Sequence, residues 1–384
     1  TLHSFLYQEI ISPYYFLLFG KQYEHISPIN LPDEPALKNK KIKELDDRGI
    51  LHISVIPQRA KWVVVKKSGD KKETKNLRAQ LIKVLSCYCG KIFVDEAQDI
   101  DDDILAIIQA FDMARIPTEL IGDPKQDLRG HGSFRKLLNT HEADTAYVSI
   151  CHRCPQKHLK ISNMLVPDAE KQTSEKEGGT VSLLFESNIQ PLEFLKTNSF
   201  DLAYISARNE RFETHTREDS TNHFENLNYE IAETIRQQYP HISKYQLAKL
   251  SYHLAYCMIR DVDGGVVPPI VMRHYFGDTL NNQQYAKVIF ALNKPSKETV
   301  EVPIVSTIER IKGQDGNNCL FILTSDLAPY LFGEKTTDNK TKNKLYVALT
   351  RSLDRLTILV TLEVEEKYGT QYIQSYFAKL LSTE

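Results

Sequence analysis

Apolar positions change period several times along the chain, and each change predicts an element. From Thr1 to Gly20 they fall at helical spacing through Phe5, Leu6, Ile10 and Ile11, with Ser12-Pro13 expected to break the helix. Residues 21–48 are polar and rich in Pro and Lys, which predicts a loop or short helices. Ile50–Ile56 and Trp62–Val65 predict two strands, followed by a turn at Lys67-Ser68-Gly69-Asp70 and a helix over Leu77–Leu85. Ile92-Phe93-Val94, bounded by Gly90 and by acids, reads as a buried parallel strand.

Strands and helices then alternate. Helices are expected at Ile104–Phe111, Phe134–Leu138 and Lys157–Leu165, and strands at Thr118–Ile121, Tyr147–Ile150, Val181–Phe185 and Leu202–Ser206. Pro167–Thr180 reads as a surface loop. A polar stretch over 208–228 leads into a helical block, Tyr229–Arg260, and the alternation resumes at Val302–Val305, Leu320–Leu323, Lys344–Leu349 and Leu356–Val360. This βαβα rhythm predicts an α/β protein with parallel sheets, in two units that each carry an insertion.

Composition narrows the picture. A chain of 384 residues is too long for one core, and 41% apolar with 26% charged residues excludes a disordered or fibrous protein. Lys and Arg total 48 against 50 Asp and Glu, so net charge alone does not recruit polyanions, although a local basic track remains open. One candidate track is Arg59–Arg78, where cations at 59, 61, 66, 67, 71, 72, 75 and 78 face only Asp70 and Glu73, beside the single Trp62. It reads as a hairpin that either touches nucleic-acid backbone or is simply solvated. Six Cys make no disulfide scaffold, so a reducing cytoplasm is the default, and Tyr14–Phe19 is too short to span a membrane. Cys87-Tyr88-Cys89 and Cys151-His152-Arg153-Cys154 suit buried thiols better than a zinc site.

The strongest chemical signal is the strand end Lys91-Ile92-Phe93-Val94-Asp95-Glu96-Ala97-Gln98-Asp99. Two adjacent acids at the carboxyl edge of a parallel sheet can hold a Mg²⁺ and position an attacking water; they can also merely cap a helix. Gly122-Asp123-Pro124-Lys125-Gln126 follows a second strand and can aim an amide at phosphate, or serve as a plain turn. Arg153 and Arg351 each follow an apolar segment, a place for a phosphate-binding arginine or for a surface ion pair. Ser306–Gly316 is a strand end turning into a Gly-containing loop, able to present amides to phosphate or to be an ordinary solvated loop.

Taken in order, these motifs resemble those of superfamily 1 helicases of the UvrD/Rep type, and Thr1-Leu2-His3-Ser4-Phe5 resembles that family's Thr-x-His-Ser-Phe segment. The resemblance implies two RecA-like P-loop NTPase motor domains, expected at 1–145 with an insertion about 21–90, and at 146–384 with a helical insertion about 210–295. It implies ATP and Mg²⁺ as cofactors, with Asp95 on the metal, Glu96 as general base, and Gln98 and Gln126 coupling the γ-phosphate to DNA. Arg153 and Arg351 would close on the phosphate, and Gly313 and Asp315 would lie near the nucleotide. Thr1, His3, Lys66, Lys67 and Arg208 are the expected DNA contacts. The implied partner is single-stranded DNA or a single/double-strand junction. The short second insertion suggests an accessory motor in DNA repair or phage defence, with a nuclease or other defence-system partner and no membrane. The alternative is a clamp or regulatory subunit that keeps the fold without turnover.

Departures accompany the resemblance. Glu309 stands where the family has His, and Asp127-Leu128-Arg129 removes a base-stacking aromatic, for which Phe134 is the nearest substitute. No Gly-x-x-x-x-Gly-Lys-Ser/Thr occurs in the sequence, so the phosphate loop is expected upstream of Thr1, and this chain alone is expected to be inactive.

Overall fold

The computed structural model describes residues 1–65, 69–207, 209–212, 214, 223–293 and 305–382. Lys66, Lys67 and Arg208, the turn at 67–68 and the segment 302–304 therefore lie outside the described residues. The chain forms two compact units: one of Thr1–Cys89, Met113–Arg115 and Arg217–Thr299, the other of Gly90–Asp112, Ile116–Thr216 and Val300–Glu384.

The first unit opens with helical turns from Leu2 to Phe19, and the helix is not broken at Ser12-Pro13. Proline lacks an N–H and its ring crowds the carbonyl four residues back. The chain absorbs this by widening to a π turn over Leu6–Ile11, in which the Ser12 N–H donates to Tyr7 O. The helix ends at Gly20, in the left-handed region at φ 66°. Two short parallel strands follow, β1 (His25–Ser27) and β2 (Ile50–His52), linked by a helix over Pro35–Asp47.

The expected second strand at Trp62–Val65 is instead part of a helix, Ile56–Val64. Buried Ile56, Ala60, Val63 and Val64 recur at i, i+4, i+7 and i+8, so the helical period wins over β-branched composition. A second helix, Lys72–Tyr88, completes the segment, so the basic stretch is no hairpin. Arg59 and Arg78 are buried: Arg59 Nε donates to Tyr23 OH at 3.1 Å, and Arg78 pairs with Asp70 and donates to Trp62 O at 3.1 Å. Lys71 and Lys72 remain exposed. Four helices, His223–Gln238, Lys244–Asp263, Pro268–Phe276 and Asn282–Leu292, bury Leu227, Ile231, Ile235, Met258 and Val288 in a core of their own.

The second unit is α/β with parallel sheets. Strands β3 (Ile92–Val94) and β4 (Thr118–Leu120) form a parallel pair with Ile92 opposite Thr118. Only one face of β3 is buried, since Phe93 is 63% exposed; the expected fully buried strand is half-buried. A five-stranded parallel sheet runs in the order β5 (Thr180–Phe185), β9 (Ser352–Val360), β8 (Gly316–Leu323), β6 (Leu202–Ile205) and β7 (Ser306–Thr307). Central β8 buries every side chain from Cys319 to Leu323, as a strand covered on both faces must, while edge strand β5 alternates. The helix Lys340–Leu349 lies against this sheet with Leu345–Leu349 buried. Tyr147–Ile150 makes no ladder; only Ile150 bridges to Thr173. Nor is 167–180 all surface, because Glu170 is buried.

Candidate functional site

The carboxyl end of β3 turns sharply. Glu96 sits in the left-handed region at φ 55°, a conformation that disfavours any residue with a Cβ. Its N–H donates to Asp95 Oδ1 at 2.8 Å, which fixes the turn and leaves both carboxylates exposed. A 3₁₀ turn over Ala97–Asp99 then starts the path to the helix Asp102–Met113, whose first N–H groups are capped by Asp101.

Gln98 is buried and ties the two strand ends together. Its Nε2 donates to Glu96 Oε2, and its Oε1 accepts the Asp123 N–H at 3.1 Å. The approach requires glycine at 122, since a Cβ there would stand 2.5 Å from Gln98 Oε1 and 2.9 Å from Ala97 N. Gln126 does not point at the acids: its Nε2 donates to Asp123 Oδ2 at 3.1 Å. Buried Lys125 reaches Asp123 at 3.0 Å and Glu170 at 3.6 Å, and Glu170 also accepts from Arg135 Nη2 at 3.1 Å.

The loop after β7 joins this acidic edge to the two arginines. Lys312 Nζ lies 2.6 Å from Asp99 Oδ1 and 3.7 Å from Glu96 Oε2. Three residues on, Asp315 pairs with Arg153 Nε at 3.3 Å. Arg351 is fully buried and donates to Val347 O, Thr350 Oγ1 and Gln314 O at 3.1, 3.3 and 3.4 Å. Among the described residues no carboxylate pairs with it. Burial pushes its pKa down, and the like charge of Arg153 adds to the effect. Glu309 is an ion-pair partner of Lys344 at 2.6 Å and of Lys340 at 3.6 Å.

A cavity of about 460 Å³ opens beside this constellation, lined by Lys125, Arg129, Arg135, Lys340 and Lys342, with Asp127 and Asp338 as the acids. Asn343 Nδ2 donates to Asp127 O at 3.0 Å across its floor. Phe134 also borders it but is buried, so it does not stand in for an exposed stacking aromatic.

Asp95, Glu96, Gln98, Gln126, Arg153, Gly313, Asp315 and Arg351 all fall in the second unit, and the loop 312–315 links most of them. Thr1 and His3 fall in the first, where the Thr1 hydroxyl accepts the Ser4 N–H and caps the opening helix. Lys312 and Glu170 carried no assigned role in the sequence. Lys312 was legible as the cation preceding Gly313, whereas nothing local to Glu170 signals burial.

Among the described residues there is no group of three or more His, Cys, Asp and Glu that could hold a metal ion. No described helix is long and apolar enough to cross a membrane. No protein-family model matches the chain, and comparison with curated proteins returns no match.

Proposed function

We propose that this chain is the core of an ATP-dependent motor of the UvrD/Rep type, with RecA-like domains, that moves on single-stranded DNA. One observation carries the reading: exposed acids at the end of a parallel strand are joined, through the loop 312–315, to Arg153 and to a buried Arg351 without a carboxylate partner among the described residues. A guanidinium held in that way is suited to an anion. Cations line the neighbouring cavity, and although Lys125, Arg135, Lys340 and Lys342 are paired with carboxylates, a phosphate backbone could exchange for those partners as the second ligand.

In this reading Asp95 holds Mg²⁺, which takes one or two protein carboxylates and completes its shell with phosphate oxygens and water. The bound ion would neutralise phosphate charge. Glu96 accepts the proton of the attacking water, with Gln98 orienting its carboxylate, and Arg153 exchanges Asp315 for the γ-phosphate. Gly313 and Asp315 flank the nucleotide in this reading, and Lys312 steadies the acids through its pairs with Asp99 and Glu96.

The test is binding of a slowly hydrolysed ATP analogue to the protein with and without Mg²⁺. Asp95→Asn should remove the Mg²⁺-dependent part of the affinity and leave the rest. An equal response in both proteins would overturn the assignment of Asp95.

A second reading, a nucleic-acid clamp without turnover, is favoured by Arg351 itself, each of whose three guanidinium nitrogens already donates to a protein oxygen. A clamp would bind single-stranded DNA with no effect of nucleotide.

A further inference from the structure

The segment Cys151-His152-Arg153-Cys154 is a Cys-x-x-Cys sequence that the nucleotide chemistry leaves unused. Both cysteines are free; Cys154 is fully buried and Cys151 partly exposed. The chain bends through 152–154, and the Cys154 N–H donates to Cys151 Sγ at 3.4 Å. Two thiols three residues apart, folded back so that one sulfur receives the other's backbone N–H, are arranged for ring closure. One is reachable from solvent and the other is shielded, the division expected of an attacking and a resolving thiol.

We propose that Cys151 and Cys154 form a thiol–disulfide site, in which a low-molecular-weight disulfide oxidises the pair and the new bond re-sets the backbone carrying Arg153. The Cys151 thiolate attacks one sulfur of the small disulfide, whose S–S bond breaks and releases one small thiol. Cys154 then attacks Cys151 Sγ and displaces the second small thiol, which leaves as a thiolate and takes up the Cys154 proton. Two cysteine thiols lose two electrons, and one small disulfide gains them.

The electrostatics agree with this division. The Cys154 side chain donates to Cys151 and, with backbone N–H groups and Arg153, pulls the Cys151 thiol well below its usual range. The same hydrogen bond and burial push Cys154 up, which keeps it protonated until the mixed disulfide has formed. The consequence for Arg153 rests on the nucleotide reading; the disulfide does not. With Cys151 and Cys154 cross-linked around the His152-Arg153 segment, Arg153 would lose the freedom to exchange Asp315 for another anion.

Glutathione disulfide applied to the full chain, followed by differential alkylation and mass spectrometry, tests the site. The expected result is a loss of two hydrogens confined to the Cys151–Cys154 peptide, reversed by dithiothreitol. In Cys154→Ser the mixed disulfide should persist on Cys151, and in Cys151→Ser the buried Cys154 should stay reduced. Wild-type protein in which exposed Cys87 reacts while Cys151 and Cys154 remain alkylatable would overturn the proposal. So would a mixed disulfide on Cys151 that never resolves. Analogue binding to oxidised protein reports separately on Arg153: a disulfide that forms without changing binding contradicts the coupling and leaves the thiol chemistry standing.

Discussion

Lys312 Nζ stands 2.6 Å from Asp99 Oδ1 and 3.7 Å from Glu96 Oε2, so a single cation is shared by two of the acids at the strand end. The pair is partly solvated, and such pairs contribute only about 0–1 kcal/mol. Lys312→Met should therefore barely move the denaturation midpoint. If Lys312 holds the acids for an incoming metal and nucleotide, the variant should change the Mg²⁺ dependence of analogue binding. A large stability loss with unaltered Mg²⁺ dependence would make Lys312 purely structural.

Gly122 is a steric requirement. Gly122→Ala would drive a methyl into Gln98 Oε1 and the Ala97 backbone, neither of which is a free side-chain end. A cost of about 1–3 kcal/mol is expected, read as a lower urea midpoint at unchanged slope. A neutral result would mean that Gln98 moves aside easily and does not position Glu96.

Arg351 separates structure from function. Removing the guanidinium relieves a buried charge but takes a donor from Val347 O, Thr350 Oγ1 and Gln314 O, at about 1–3 kcal/mol for each group left unsatisfied. If Arg351 serves the proposed turnover, Arg351→Met should fold with a lowered thermal midpoint and abolish ATP turnover. Loss of folding instead would assign Arg351 to the scaffold.

His158 gives the stability a pH dependence. Its ring is buried with Nδ1 3.3 Å from Ser352 O and Nε2 3.2 Å from Thr180 O, and burial holds its pKa below the ordinary 6.5. The unfolded chain therefore binds a proton at a higher pH than the folded one. Above 6.5 both states are neutral and nothing changes; below it the unfolded state is favoured until the folded ring titrates. Stability should fall as the pH drops from 6.5, and His158→Gln should flatten that fall. His25 and His52, also held low by burial, contribute in the same direction and will remain in the variant. An identical pH profile would exclude His158 as a contributor.

Exposed Lys71 and Lys72 test what remains of the basic stretch, because Arg59 and Arg78 are spent on internal partners. If both lysines meet phosphates, their replacement by Ala should reduce the log–log salt slope of single-strand binding by up to about 1.4, at roughly 0.7 per contact. An unchanged slope would leave the stretch as a solvated face.

The parallel strands were legible because burial on both faces writes continuous apolar runs: Leu320–Leu323 and Leu356–Val360 fall inside β8 and β9. The acids after β3 were legible because short motifs at strand ends stay local. Trp62–Val65 suggests a strand because Val63–Val65 are β-branched, and only the longer i, i+4, i+7 pattern from Ile56 reveals the helix. Neither the π turn that absorbs Pro13 nor the burial of Glu170 against Lys125 and Arg135 has a local signature. Both depend on tertiary neighbours. Lys312 is the instructive case, since its residue type and place were visible but its partners lie 213 and 216 positions away, counted from 99 and 96 to 312.

The central claim is hydrolysis at the Asp95–Glu96 edge. It is tested most directly by ATP turnover of the protein with and without single-stranded DNA, beside Glu96→Gln. The account predicts DNA-stimulated turnover in the wild type and none in the variant, with nucleotide binding retained in both. Equal turnover in the two proteins, or no response to DNA in the wild type, would contradict it.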